Sequence, residues 1–486
     1  MYQPEPLSSP PGTVATELAG KAHERRLTVY AGAGISASAP TSLPGAAGLA
    51  HLIYDALKNV MDLSEVDGWD LLQVADAVAA QPRGVQLLRQ TVLDVADFSS
   101  AHPNYAHEVL ALLLSEGAVT VLETNYDDCI ERAAIPERLP VVRTAQELLS
   151  GPTASLLKAH GCVTLPSTML ITTADLAAVQ FWANASVKTH LSQDLCAFIG
   201  IGSVADYVRD SLGAVMGAVG DDHVILVGPG LEAWETDPDL DWRSILPDLP
   251  SDQRDTRGAS EFCDALLRAY LLNVRRELRA LTAGFPSDHP QAVGVETLVT
   301  AVESLSAVQF LRWLRQSFWK LGPGKSAAVS AATIQGLTAV GGLLGRTWKL
   351  HFSKSGWLSA TRDVGEGETV ARQIHVLVLH LGESTDGSST IREARRRVND
   401  AKAAFDIPAE SDVLVVAAGV VGSLGEEEIR AERDADFTAV LVAAHQTADG
   451  LPGNLLGSID SDHLIDGVGA GRFMFVNAHL VGQACR

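Results

Sequence analysis

Four stretches of the sequence hold residues able to do chemistry, and each follows a short apolar segment. The first is AGAGISASAPTSLPG at Ala31–Gly45, entered directly from LTVY at Leu27–Tyr30. Gly32 and Gly34 carry no Cβ, so the backbone there can turn sharply and come close to a ligand. Exposed N–H groups and a following helix N-terminus can hold a pyrophosphate. A Gly-x-Gly without a third glycine also fits an ordinary strand-to-helix turn. The second stretch pairs HPNYAH at His102–His107 with ETNYDDCIERA at Glu123–Ala133. Asn125 and Asp127 follow an apolar segment, where ligands bind in open α/β sheets. An asparagine there can hydrogen-bond a ribose hydroxyl or a water, and an aspartate can accept from a carboxamide. Thr, Asn and Asp equally serve turns and helix caps. The third, LLKAHG at Leu156–Gly161, places His160 where it can act as a base near neutral pH, or simply as a structural histidine. The fourth, AFIGIGSVADYVRDSL at Ala197–Leu212, enters a glycine-rich turn at Gly202 and Ser203. That turn could meet the adenosine side of a nucleotide or cap the helix that opens near Asp206.

Such groups act together only if strands and helices bring them to one edge. Candidate strands are Leu27–Tyr30, Ala118–Leu122, Val141–Arg143, Leu156–Ala159, Ala197–Ile201 and His223–Val227. They are near-continuously apolar and separated by longer, helix-like segments, which predicts a parallel sheet covered on both faces. Residues 1–20 read as a flexible leader, and Glu261–Leu281 as one long amphipathic helix closing a first domain over 21–287. Residues 288–345 read as a helical connector. Its GPGKSAA at Gly322–Ala328 lacks both the earlier glycine and the preceding strand of a phosphate-binding loop. Residues 346–486 alternate again, with strand candidates in Ile374–Gly382, Asp412–Ser423, Phe437–His445 and Arg472–Val481, and read as a second, smaller α/β domain for sensing or assembly.

Composition narrows the function classes. The chain has 486 residues, 47% hydrophobic and 20% charged, with a net charge of −22. That is a globular composition, and its acidity disfavours non-specific binding to nucleic acid or anionic membrane. Five cysteines stand far apart with no Cys-x-x-Cys pair, which argues against a zinc ribbon or a disulfide framework. No signal peptide and no spanning apolar run are read, so a soluble, cytoplasmic protein is expected.

Taken in order, GAGIS at Gly32–Ser36, PNYAH at Pro103–His107, TNYD at Thr124–Asp127, KAHG at Lys158–Gly161 and GSVAD at Gly202–Asp206 resemble the sirtuin family. MLITTADL at Met169–Leu176 adds a Thr-x-x-Asp segment. Within that family the chain is similar to the bacterial sirtuin-like branch associated with NAD-consuming antiphage defence. The resemblance covers about residues 20–285 and implies a Rossmann-like parallel sheet of the sirtuin type. It implies NAD as substrate, its diphosphate lined by Gly32, Ala33 and Gly34 with Ser36 nearby. Asn125 and His160 would be catalytic on the nicotinamide ribose, Asp127 would recognise the carboxamide, and Gly202 and Ser203 would face the adenosine side. The four-cysteine zinc module of sirtuin deacylases is absent between Cys162 and Cys196, so no metal is expected and deacylation is in doubt. The expected activity is NAD hydrolysis to nicotinamide and ADP-ribose, or to a cyclic product, switched on during infection. The alternatives are a zinc-independent deacylase or ADP-ribosyltransferase, or a regulatory subunit that binds NAD or ADP-ribose without turnover. A homo-oligomer or a complex with a defence partner is expected to restrain the activity.

Overall fold

The computed structural model describes residues 2–134, 139–150, 156–178, 181–202, 208–213, 222–237, 241–280 and 290–317. Beyond these it describes 326–328, 348–353, 356–362, 372–381, shorter pieces, and the strands 413–419, 438–443 and 474–477. The chain divides into two units, one of residues 1–4 with 10–270, the other of residues 5–9 with 271–486.

In the first unit a parallel sheet of seven strands runs β1 (Leu27–Ala31), β2 (Thr120–Glu123), β3 (Val141–Val142), β4 (Leu156–Lys158), β5 (Leu195–Ile199), β6 (Val224–Val227) and β7 (Arg254–Asp255) along the chain. Their spatial order is β3-β4-β2-β1-β5-β6-β7, every pair parallel. All residues of β1 and β5 are buried, as a strand covered on both faces must be, and this is why they read as unbroken apolar runs. On one face Tyr30 stacks on Phe198 with ring centroids 4.4 Å apart, in a core that includes Trp182, Val187 and Trp242. Elsewhere α1 (Thr13–His23) packs on the helix Ala259–Tyr270 and also touches β1 and β5. After β1 the chain forms a helical group, α2 (Ala46–Leu57), α3 (Leu71–Ala79) and α4 (Gly84–Val95), and returns through α5 (Tyr105–Ser115) to β2. β2 lies on one flank of β1 and β5 on the other, so the strand order reverses about β1. The C-terminal ends there form the switch point at which doubly wound sheets bind ligands.

Several boundaries differ from the sequence reading. Residues 13–20, expected in a flexible leader, belong to α1, whose Ala15, Leu18, Ala19 and Ala22 are buried. The continuous amphipathic pattern at 261–281 splits into the helices Ala259–Tyr270 and Leu272–Ala280, and the division between units falls at that split and not near 287. Apolar periodicity runs through the break unchanged, so it gave no signal. β7 has only the residues Arg and Asp, with no apolar pattern to announce it.

The second unit contains the helices Pro290–Glu303 and Ala307–Ser317 and a six-stranded sheet. β8 (Lys349–Phe352), β9 (Leu358–Arg362) and β10 (Arg372–Leu381) form an antiparallel meander. β11 (Val413–Gly419), β12 (Thr438–Ala443) and β13 (Met474–Asn477) then continue the sheet in parallel with β10. The expected α/β alternation thus carries an antiparallel edge, β8 and β9, that the sequence reading did not contain. Residues 322–325 lie outside the described residues. No described helix is long and apolar enough to cross a membrane.

Candidate functional site

The turn after β1 meets the turn after β5 at contact distance. Gly32 and Gly34 donate their N–H groups to Ile199 O at 2.9 Å and Gly200 O at 2.8 Å. A Cβ on Gly34 would lie 2.7 Å from Gly200 Cα, and one on Gly200 would lie 2.6 Å from Ile35 N. Gly200 also holds φ +68, a region L residues rarely adopt. The sequence reading gave the two glycines to a diphosphate. The N–H groups of these glycines hold the two turns together, and Ala33, partly exposed, and Gly34, exposed, form the turn's outer face.

Beneath that turn lies a buried polar network joining residues from three segments. Ser36 Oγ donates to Asp127 Oδ2 at 2.9 Å, sits 3.1 Å from His107 Nε2, and accepts from Asn125 Nδ2 at 3.3 Å. Asn125 Nδ2 also donates to Gly32 O at 3.0 Å. Both hydrogens of the amide are therefore placed, and its Oδ1, buried, finds no hydrogen-bond partner among the described residues. A buried acceptor left unsatisfied costs about 1–3 kcal/mol unless a ligand or water completes it. Asp127 is full by comparison, since its Oδ1 accepts from Cys129 N at 3.0 Å. Burial alone would raise the Asp127 carboxyl, but the Lys158 charge, His107 and the two hydrogen bonds hold it below the usual carboxylate range.

Lys158, the last residue of β4, is completely buried. Its Nζ donates to Glu123 Oε2 at 2.7 Å and to the Asp127 main-chain carbonyl, with Glu131 Oε2 at 3.9 Å. Burial would lower this ammonium, but the surrounding carboxylates outweigh it and keep the group charged. One cation thereby ties the end of β2 and the Asn125–Asp127 turn to the strand that leads into His160. Glu123 pairs with Lys158 in register across β2 and β4, so Asn125 and His160 each stand two residues past adjacent strand ends, on the same edge of the sheet. Burial lowers the His160 imidazole to about 4, which keeps it neutral at physiological pH.

The remaining sequence candidates fall on either side. Gly202 is exposed past β5, with open space where a Cβ would point, and Ser203 and Asp206 lie outside the described residues. Trp242 Nε1 donates to Ile201 O at 2.9 Å and holds that turn from behind. The Thr-x-x-Asp segment is a helix cap: Thr172 Oγ1 accepts from Asp175 N, and Asp175 Oδ2 from Thr172 N.

The sequence reading assigned no role to Asn104 or His107. Asn104 caps α5 and reaches back to Ile35 O at 2.7 Å, while its N–H donates to His107 Nδ1 at 3.1 Å. The Asn-x-x-His spacing at a helix start was the available signal. His107, Asp127 and Cys129 are close enough together to ligate a metal, all three buried. Both nitrogens of His107 are already engaged, however, and burial raises the Cys129 thiol far above its ordinary range. The set is better satisfied as a hydrogen-bonded network than as a metal cage.

Fold and site together describe a doubly wound α/β domain of Rossmann type whose polar groups gather at the switch point. Residues 119–240 match the SIR2-like domain family, a span holding Asn125, Asp127, Lys158 and His160. A solved Sir2 homologue, a histidine-to-asparagine mutant in complex with ADP-ribose, is 18% identical and aligns over 56% of this chain and 99% of its own, with a TM-score of 0.29. No curated protein sequence matches the chain.

Proposed function

We propose that the first unit binds NAD and cleaves the bond between its nicotinamide and ribose, with water as acceptor, releasing nicotinamide and ADP-ribose. The observation that carries this reading is the buried Asn125 Oδ1, an unsatisfied acceptor with a fixed orientation at the switch point. A ribose hydroxyl is a donor of the right kind to complete it. In cleavage the C1′–N bond breaks with its electron pair passing to the positively charged nicotinamide ring. A water oxygen bonds to C1′, and the water's proton goes to neutral His160 and then to solvent. A hydroxyl of the adenosine ribose attacking C1′ in place of water, its proton leaving by the same route, would give a cyclic product. The SIR2-like match and the order of the five motifs support this chemistry.

The resemblance of those motifs to the defence-associated branch further supports a cytoplasmic role in antiphage defence, through depletion of NAD. An enzyme of that kind must be restrained, and we assign the restraint to a homo-oligomer or a defence partner. The test is incubation of the purified chain with NAD, with and without extract of infected cells, followed by mass spectrometry. Nicotinamide and ADP-ribose from the wild type, lost in Asn125→Ala and His160→Ala, support the reading. No product in any state, or full activity in both variants, overturns it. Release that requires an acylated peptide or an acceptor protein would replace water with that acceptor.

A further inference from the structure

Residues 2–12, expected as part of a flexible leader, are held at both ends and in the middle. The chain passes from the first unit to the second and back there, since residues 1–4 and 10–270 belong to one and residues 5–9 to the other. We propose that residues 2–10 form a clasp through which a change in the second unit is felt at the start of α5. Both feet of the clasp stand on one ion pair of the helix Ala259–Tyr270. There Arg268 Nε donates to Asp264 Oδ2 at 3.1 Å, and both side chains are buried. Tyr2 Oη donates to the same Oδ2 at 3.1 Å, and Arg268 Nη1 donates to Pro10 O at 3.2 Å. Arg257 Nη1 donates to Pro11 O at 3.3 Å. Asp264 Oδ1 accepts from Tyr105 Oη at 2.7 Å, and the rings of Tyr2 and Tyr105 lie 5.4 Å apart. Tyr105 is the first residue of α5, next to the Asn104 cap that reaches Ile35 O.

The tip of the clasp is built into the second unit. Leu7 N–H donates to Leu305 O at 2.7 Å, and Pro6 forms an antiparallel bridge with Ser306. Leu305 and Ser306 lie in the turn between the helices Pro290–Glu303 and Ala307–Ser317. Ser306 and Gln309 cap the latter helix reciprocally, Ser306 N donating to Gln309 Oε1 and Gln309 N to Ser306 Oγ. Leu7 is completely buried, while Gln3, Pro4, Glu5, Pro6 and Ser8 around it are exposed. A leucine withdrawn from water in so exposed a stretch fixes where the tip sits. Pro4, Pro6 and Pro10 restrict φ along the segment, so it behaves as a stiff spacer and not as slack chain. Stiff chain pinned at its tip and its feet passes on a displacement that slack chain would absorb. Coupling of this kind is reciprocal, so a disturbance at either end is felt at the other.

Hydrogen exchange of the full chain, read by mass spectrometry, tests this without NAD, so the outcome is separate from that of the proposed chemistry. Leu7→Ala disturbs the tip, and Tyr2→Ala disturbs one foot. Exchange at 305–309 speeds up in Leu7→Ala whether or not the clasp transmits. With transmission, the α5 amides also exchange faster, by about threefold or more as a sub-global opening spreads, while β5 keeps its protection. Tyr2→Ala should likewise speed exchange at 305–309. A further variant lengthens both legs, with Gly-Ser-Gly-Ser inserted between Pro4 and Glu5 and again between Ser9 and Pro10. In that lengthened chain, adding Leu7→Ala should leave α5 exchange as it was without the substitution. Unchanged α5 exchange in Leu7→Ala, unchanged exchange at 305–309 in Tyr2→Ala, or a cross-effect that survives lengthening would overturn the proposal. Equal acceleration in β5 would overturn it as well, because that is stability lost throughout. If Leu7→Ala does not fold, Tyr2→Ala with and without the lengthened legs still decides.

Discussion

Strand β1 has a hydroxyl, an imidazole and a carboxylate gathered at each of its ends, and the two clusters end differently. At the N-terminal end Thr28 Oγ1 donates to Asp194 Oδ2 at 2.8 Å, and His190 Nδ1 meets the same oxygen at 2.8 Å. At the C-terminal end Ser36, His107 and Asp127 form a similar trio. The first cluster closes on itself: one carboxylate oxygen gathers both partners and fastens the helix before β5 to β1. The second continues into Asn125 and stops at an acceptor that has no donor among the described residues. Residue types alone do not distinguish the two. What distinguishes them is position, because the parallel strands end in loops at the C-terminal edge, where backbone turns such as Gly32–Ser36 bring groups from β1, β2 and β4 together.

The sharpest way to break this contrast is at Lys158, beneath the C-terminal cluster. Lys158→Met leaves Glu123 buried without its cation, and should destabilise the fold by about 3–5 kcal/mol, read as a large fall in the urea midpoint. Acid gives the next largest effect. His107 is held near 4 when folded against 6.5 ordinarily, so between those values the unfolded chain binds more protons than the folded one. Stability is therefore full above pH 6.5 and falls as pH drops toward 4, by about 2 kcal/mol at pH 5 from His107 alone. Urea titrations at pH 7 and pH 5 check the sign, and a midpoint that rises on acidification contradicts it. Asn125→Ala should lower NAD turnover by about 100-fold, the scale of losing a fixed polar group at a reacting centre, with little change in thermal midpoint. Thr28→Val should move stability by no more than about 1 kcal/mol and leave turnover as it is. A loss of turnover there would place function at both ends of β1 and dissolve the distinction.

The sequence revealed the strands that a buried sheet makes visible. β1, β2, β4 and β5 read as apolar runs because both of their faces are covered, and Asn125 and His160 were legible as polar residues just beyond them. What stayed hidden depends on partners distant in sequence. The Ser36–His107 contact spans 71 residues and the Lys158–Glu123 pair spans 35. A lysine in KAHG gives no sign that it is fully buried. The glycines of GAGIS were legible as a close approach, but the Gly200 turn that they approach was not. The split at Tyr270 left no trace because the helices on either side share one amphipathic period.

The most direct measurement is a crystal structure of the protein with ADP-ribose bound. A ribose hydroxyl is expected within hydrogen-bond distance of Asn125 Oδ1, with His160 on the same side of that sugar. A dinucleotide seated away from the β1–β2 edge, or Asn125 Oδ1 completed by a protein group while the ligand lies elsewhere, would contradict it.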